Sequence, residues 1–355
     1  MINYLKHGWG LLSVFLSLVV IIPIFTIIFF LITPGNETWY HLRENVLTSY
    51  IINSLYLIIF VGFGSILIGV STAWLVAMHN FPYKKYIEWL LFMPLAIPSY
   101  AVAYCYADLL GYGGFITDNL VSIFNSNIKS INFYSIYGAI FVFIFSLYPY
   151  VYLLMRQAFI SQSGAHIEIA KISGLSVLQI IKKVSLPLSR PALAGGVTLV
   201  IMETLADYGV SDYLGINTFT KGIYKAWFNL GDITSAGKLS AILLISIAVI
   251  IAVERKIRGK AEYNNEVRSN KKVPLKKLNG VFAMMAIIVC VIPIFIGFII
   301  PVLTLIAWSF DSINIIYTLE FINVTFASFG IAISASAICA IFALIIVFGM
   351  RTNYK

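Results

Sequence analysis

The sequence predicts an all-α integral membrane protein with about eight transmembrane helices. Two observations carry that expectation. Hydrophobic residues make up 60% of the chain and charged residues 11%, with mean hydropathy +0.92, whereas soluble domains carry roughly 25% charged residues. The apolar residues also gather into eight runs, at about 9–33, 50–78, 88–111, 131–155, 190–214, 238–253, 279–309 and 326–349. Each is near or above the ~20 residues that cross a bilayer as a helix.

The first run, within Gly8 to Pro34, is too long for a signal peptide and no small-residue cleavage site follows it. It reads as a retained helix. The second exceeds the required length. The third contains Pro94 and Pro98 and the fourth contains Pro149, which break helical hydrogen bonds that neighbouring spans must re-satisfy. The fifth carries the acids Glu203 and Asp207, and the sixth is the shortest. A basic, polar linker over 254–277 leads into the last two. Cys105, Cys290 and Cys339 fall in or near spans without ligand spacing, so they read as small packing residues.

Lysine and arginine give the orientation. With the N-terminus inside, cytoplasmic segments hold Lys6, Lys84, Lys85, Arg156, Lys171, Lys182, Lys183, Arg190, the nine cations from Arg255 to Lys277, Arg351 and Lys355. Only Arg43, Lys129, Lys221, Lys225 and Lys238 lie outside. By the positive-inside rule both termini and the segment before residue 190 are expected in the cytoplasm. The net charge of +9 is therefore topogenic, with membrane lipid as the surroundings and no nucleic-acid partner implied. The sequence contains no Walker A loop and no H-E-x-x-H pair. His7, His41, His79 and His166 are scattered over loops and span ends, so an embedded enzyme, a cofactor or a metal centre is not expected.

One polar, basic stretch, 156–187, separates the fourth and fifth runs. Within it stand Glu168, Ala170 and Gly174, then Val184-Ser185-Leu186-Pro187 after nine intervening residues. A small residue at Ala170 allows close helix approach, Gly174 can take a positive φ at a bend, and Pro187 is expected to stop the second helix before the next span begins. The spacing resembles the E-A-A-x3-G-x9-I-x-L-P loop of permeases of binding-protein-dependent ABC importers. Ile169 departs from it at the second alanine, and Val184 replaces isoleucine. The resemblance implies a type I importer bundle in a bacterial inner membrane. It also implies that the loop forms two short helices bent at the glycine and docks on a separate ATPase subunit, with a periplasmic protein delivering the substrate.

Leu5-Lys6, Gly10 and the Ile21–Phe25 segment recur as Leu275-Lys276, Gly280 and Val291–Phe295, at an offset of 270 residues. The expected organisation is an N-terminal helix and periplasmic segment (1–48), a permease domain (49–253), the linker (254–277) and the start of a second repeat (278–355). Nothing after residue 277 resembles the loop. The chain therefore reads as truncated within its second repeat, needing a second permease half or copy to complete a pore. The alternatives are a complete eight-span protein and a relic that no longer transports.

The segments Glu203–Gly209 (ETLADYG) and Thr218–Phe228 (TFTKGIYKAWF) resemble the ferric-iron subgroup of these permeases, parts of which polyamine, thiamine and phosphonate permeases share. Acids inside a span suggest a pathway by default, because an ionised carboxylate in lipid costs several kcal/mol. Glu203 and Asp207, four residues apart, are expected on one helix face, with Tyr208 beside them and Asp212 nearer the outer end. Carboxylate and phenol oxygens suit a hard trivalent cation. The structural alternative is a bridge to neighbouring helices or to Arg190. Asp108, near Tyr104 and Tyr106, is a weaker pathway candidate, and the aromatics over Tyr213–Phe228 read as a headgroup belt or a docking surface.

Overall fold

The computed structural model describes residues 2–111, 113–114, 116–118, 122, 132–162, 169–170, 172–258, 276–311 and 318–353. In chain order its helices are α1 (Ile2–Phe29), α2 (Glu37–Asn45), α3 (Leu47–Met78), α4 (Lys84–Leu90), α5 (Ser99–Leu110), α6 (Ile136–Ser161), α7 (Val177–Ile180) and α8 (Leu186–Leu188). They continue with α9 (Arg190–Ala206), α10 (Gly209–Tyr213), α11 (Phe219–Tyr224), α12 (Ile233–Arg258), α13 (Gly280–Ile294), α14 (Ile300–Asp311) and α15 (Leu319–Asn353). Among the described residues six helices are long and apolar enough to cross a membrane, and two bent pairs make eight spans when each pair counts as one. The all-α membrane architecture is thus as the hydropathy requires.

The chain divides into two compact units, Asn36–Leu305 and Met1–Gly35 with Ile306–Lys355. In the smaller unit α1 lies against α15, with Trp9 edge-on to Phe348 at 5.4 Å between ring centres. In the larger unit α3, α6 and α9 form the central layer, burying Leu57, Val61, Tyr148, Val151, Tyr152 and Met155. Lipid gives no hydrophobic drive for helices to associate, so close backbone approach must supply the contact. Gly69 and Gly196 provide it on two sides of Val151: a Cβ on Gly69 would lie 2.7 Å from that of Val151, and one on Gly196 3.0 Å from its Cα.

Three expected spans take different shapes. The 88–111 run is two helices at 91°, Lys84–Ala96 and Ser99–Leu110. Ile97, which precedes Pro98, is extended (ψ 125°), because a residue before proline is pushed out of the helical region, and Pro98 follows it at ψ 136°. The 190–214 run ends as a helix at Ala206, where Asp207 turns extended (φ −71°, ψ 121°). The sixth span starts at Ile233 rather than 238, because Asp232 Oδ1 accepts the first N–H groups of Thr234 (3.0 Å) and Ser235 (3.2 Å).

Between α13 and α14 the chain forms one π turn, Phe295–Ile299, in which Ile300 N–H reaches back five residues to Phe295 O. Continuing that pattern would pair Ile296 O with residue 301, but Pro301 has no N–H. The Tyr106 hydroxyl from α5 donates to Ile296 O instead, at 2.7 Å. Tyr106→Phe is expected to lower stability by about 1–3 kcal/mol through the orphaned carbonyl. Thermal unfolding in detergent checks this, and an unchanged midpoint would refute it. At the other end of α13, a two-residue parallel ladder joins His79-Asn80 to Lys276-Lys277, and Leu278 N–H donates to Asn80 O at 2.9 Å. This ladder fixes the start of α13 beside the end of α3.

Candidate functional site

Two groups of residues carry the functional expectations. The first is the loop before α9. Glu168 and Lys171 lie outside the described residues; Ala170, Gly174, Leu186 and Pro187 do not. Ala170 is buried in the core of the larger unit. Gly174 has φ +74°, and Leu175 N–H returns to Ala170 O at 3.1 Å, the six-to-one bond of a glycine-terminated helix end. The next helix then starts with a reciprocal cap: Ser176 N–H donates to Gln179 Oε1 (2.9 Å) and Gln179 N–H to Ser176 Oγ (3.4 Å). The S-x-x-Q spacing of that cap was legible in the sequence and belongs with the glycine as one device.

Beyond the cap, α7 runs through a π turn, Ile181–Ser185, into α8, and Leu186 packs against the core. Pro187 does not itself stop this helix. It sits in the first turn of α8, where a missing N–H is tolerated, and the 71° bend into α9 falls at Ser189 (φ −94°, ψ 7°). Gln162 Nε2 from the end of α6 donates to Ser185 O (2.9 Å) and Ser189 Oγ (2.8 Å), which fixes the corner. On the open side of the loop Ile169 is 61% and Ile172 87% exposed. A pair of isoleucines that the loop itself does not cover is an apolar patch of the kind that marks contact surfaces.

The second group is the set of acids at the far end of α9. The structure gives them different partners. Glu203 is exposed on α9 and accepts a long hydrogen bond from Tyr150 Oη (3.4 Å). Asp207 is the last residue in register with Glu203, its N–H donating to Glu203 O at 3.0 Å, and the backbone turns away beyond it. Its Oδ1 accepts Val210 N–H at 2.7 Å and so starts α10, while its backbone O accepts Thr220 Oγ1 at 2.8 Å. A short acid that competes for nearby backbone donors favours such a break. Tyr208 stacks on Tyr224 at 4.4 Å, and Asp212 pairs with Lys221 at 3.5 Å. Arg190, at the opposite end of α9, is about 20 Å from Glu203 by helical rise and is not its partner.

Around this end the aromatic side chains form stacks: Tyr104 on Tyr213 at 3.7 Å, Tyr134 Oη 3.2 Å from Tyr213 Oη, and Trp227 against Phe228 at 5.2 Å. Asp108 is exposed nearby on α5, while Tyr106 is turned inward to Ile296. Tyr150 and Thr220 are the partners that sequence reasoning missed, and only tertiary contact identifies them. Among the described residues no group of three or more His, Cys, Asp or Glu side chains could hold a metal ion.

Comparison with known proteins adds an independent line. Residues 65–256 match the family described as binding-protein-dependent transport system inner membrane component. The chain is 24% identical over 216 residues to the putative 2-aminoethylphosphonate transport system permease protein PhnU of Salmonella choleraesuis, covering 59% of this chain and 76% of that protein. It is also 24% identical over 209 residues to the Fe(3+)-transport system permease protein FbpB 2 of Haemophilus influenzae, covering 59% of this chain and 37% of the relative. In fold it is similar to a chain of the bacterial alginate ABC transporter in complex with alginate pentasaccharide-bound periplasmic protein. That match has TM-score 0.58 at 17% identity and covers 72% of this chain and 98% of the other.

Proposed function

Because this chain belongs to the family of binding-protein-dependent transport system inner membrane components, we propose that it is the membrane-embedded permease subunit of an importer that passes ferric iron. In this reading a separate ATPase docks on the loop at Ile169–Val177, a periplasmic protein delivers the ion at the Glu203 end, and a second permease half or copy completes the pore. The chain supplies a path and a lever, with ATP hydrolysis in the partner.

The observation that carries the docking role is the capped glycine bend beside the exposed Ile169 and Ile172. A bend fixed by backbone bonds at both sides transmits a push to α9 through the Ser189 corner rather than absorbing it. The substrate reading rests on the character of the acidic end. Glu203 and Tyr150 present hard oxygens that suit Fe3+, and the Glu203 carboxylate disfavours an oxyanion. Asp207 and Asp212 serve local structure, so Glu203 is the residue proposed to meet the ion.

Labelled-substrate uptake tests this, in cells supplied with the ATPase, the binding protein and a complete second permease unit. Iron uptake is expected; uptake of 2-aminoethylphosphonate, a polyamine or thiamine in its place would overturn the substrate. The same cells test orientation. A reporter fused after residue 170 should behave as cytoplasmic and one near residue 225 as periplasmic, in keeping with the cation distribution. The reverse pattern would remove the loop from any ATPase.

A further inference from the structure

Beside the loop, at the end of the bundle where the two-residue ladder lies, is a pocket of about 550 Å³ that shares only Val177 with the docking surface. It is lined by Trp74 of α3, Ile181 of the loop helix, Lys277, and Phe282, Met285 and Val289 of α13. The three α13 residues follow one another at helical spacing, so they form a single apolar stripe. Phe282 is 72% and Met285 55% exposed, which leaves the stripe open on one side.

Length and charge identify the occupant. From Gly280 to Val289 the helix rises about 14 Å, close to half of the ~30 Å hydrocarbon core. Lys277 stands three residues before the helix, and a lysine is held at headgroup level by the cost of burying its charge. Exposed Lys182 and Lys183 follow Ile181 directly, adding positive charge on the loop side. A cationic mouth over an apolar slot one leaflet deep is complementary to a phospholipid, head at the mouth and chain in the slot. We propose that this pocket holds an anionic phospholipid of the adjoining leaflet, its phosphate at Lys277 and one acyl chain along Phe282, Met285 and Val289. The lipid would lie between the loop helix, which Gln162 fixes, and α13, flanked by the ladder at its start and the Tyr106 bond just past its end. This assignment does not depend on what the chain transports.

Native mass spectrometry of the full chain, released from detergent after exposure to equal phosphatidylglycerol and phosphatidylcholine, tests it. The unaltered protein should retain phosphatidylglycerol about fivefold over phosphatidylcholine, the effect expected of one lysine at an anionic surface. Lys277→Glu should abolish the preference, whereas Lys225→Glu, at an exposed lysine outside the pocket, should leave it intact. Met285→Trp, which fills the slot from its open side, should lower retention of both lipids. Equal retention of the two lipids by the unaltered protein would overturn the proposal. So would a preference that survives Lys277→Glu, or retention unchanged by Met285→Trp.

Discussion

Replacing Gly174 with valine is expected to abolish uptake and to detach the ATPase while the spans still insert. The cause is backbone conformation rather than crowding. At φ +74° an L-residue pays about 1–2 kcal/mol, and a β-branched one more, yet a Cβ at this position would meet no atom within 4 Å. The strain is relieved by releasing the Leu175-to-Ala170 bond, which frees the reciprocal cap at Ser176 and Gln179 and reorients Ile169 and Ile172. Helix packing around Val151 is untouched, so the melting temperature in detergent should change little. Gly174→Asn, whose side chain tolerates the left-handed region, should keep much of the activity. Normal ATPase co-purification and uptake in the valine variant would show that the bend is not the coupling element.

The second large effect is expected at Glu203, and here the two acids should part company. Glu203→Gln keeps shape and removes charge; if the carboxylate meets the ion, uptake should fall by about tenfold or more, equivalent to about 1.4 kcal/mol of barrier. Asp207→Asn should remain close to the unaltered protein, because asparagine caps a helix as well as aspartate does and the bond from Val210 N–H survives. Asp207→Ala loses the cap and should cost about 1 kcal/mol of stability, read as a lower melting temperature. Unaltered iron uptake by Glu203→Gln would exclude an essential charge on this face. A loss in Asp207→Asn equal to that in Glu203→Gln would instead mean that the two acids act together despite the helix break.

The sequence alone determined which segments enter the membrane, since burial in lipid depends on local apolar length and little else. It also determined the glycine of the bend, because only a residue without Cβ takes φ +74° freely, and the reciprocal cap was there to be read at Ser176 and Gln179. Tertiary structure decided the rest. What Asp207 bonds to depends on donors from Val210 and Thr220, and hydropathy contains no term for either. The 71° corner at Ser189 depends on Gln162, which lies 27 residues away in the chain. Pro301 announces a missing N–H, but only the fold reveals that Tyr106, from another helix, satisfies the carbonyl left behind. Inside a membrane every backbone polar group must find a partner within the protein. Where the partner is local, the sequence names it; where a bend or a proline makes it distant, only the packed bundle does.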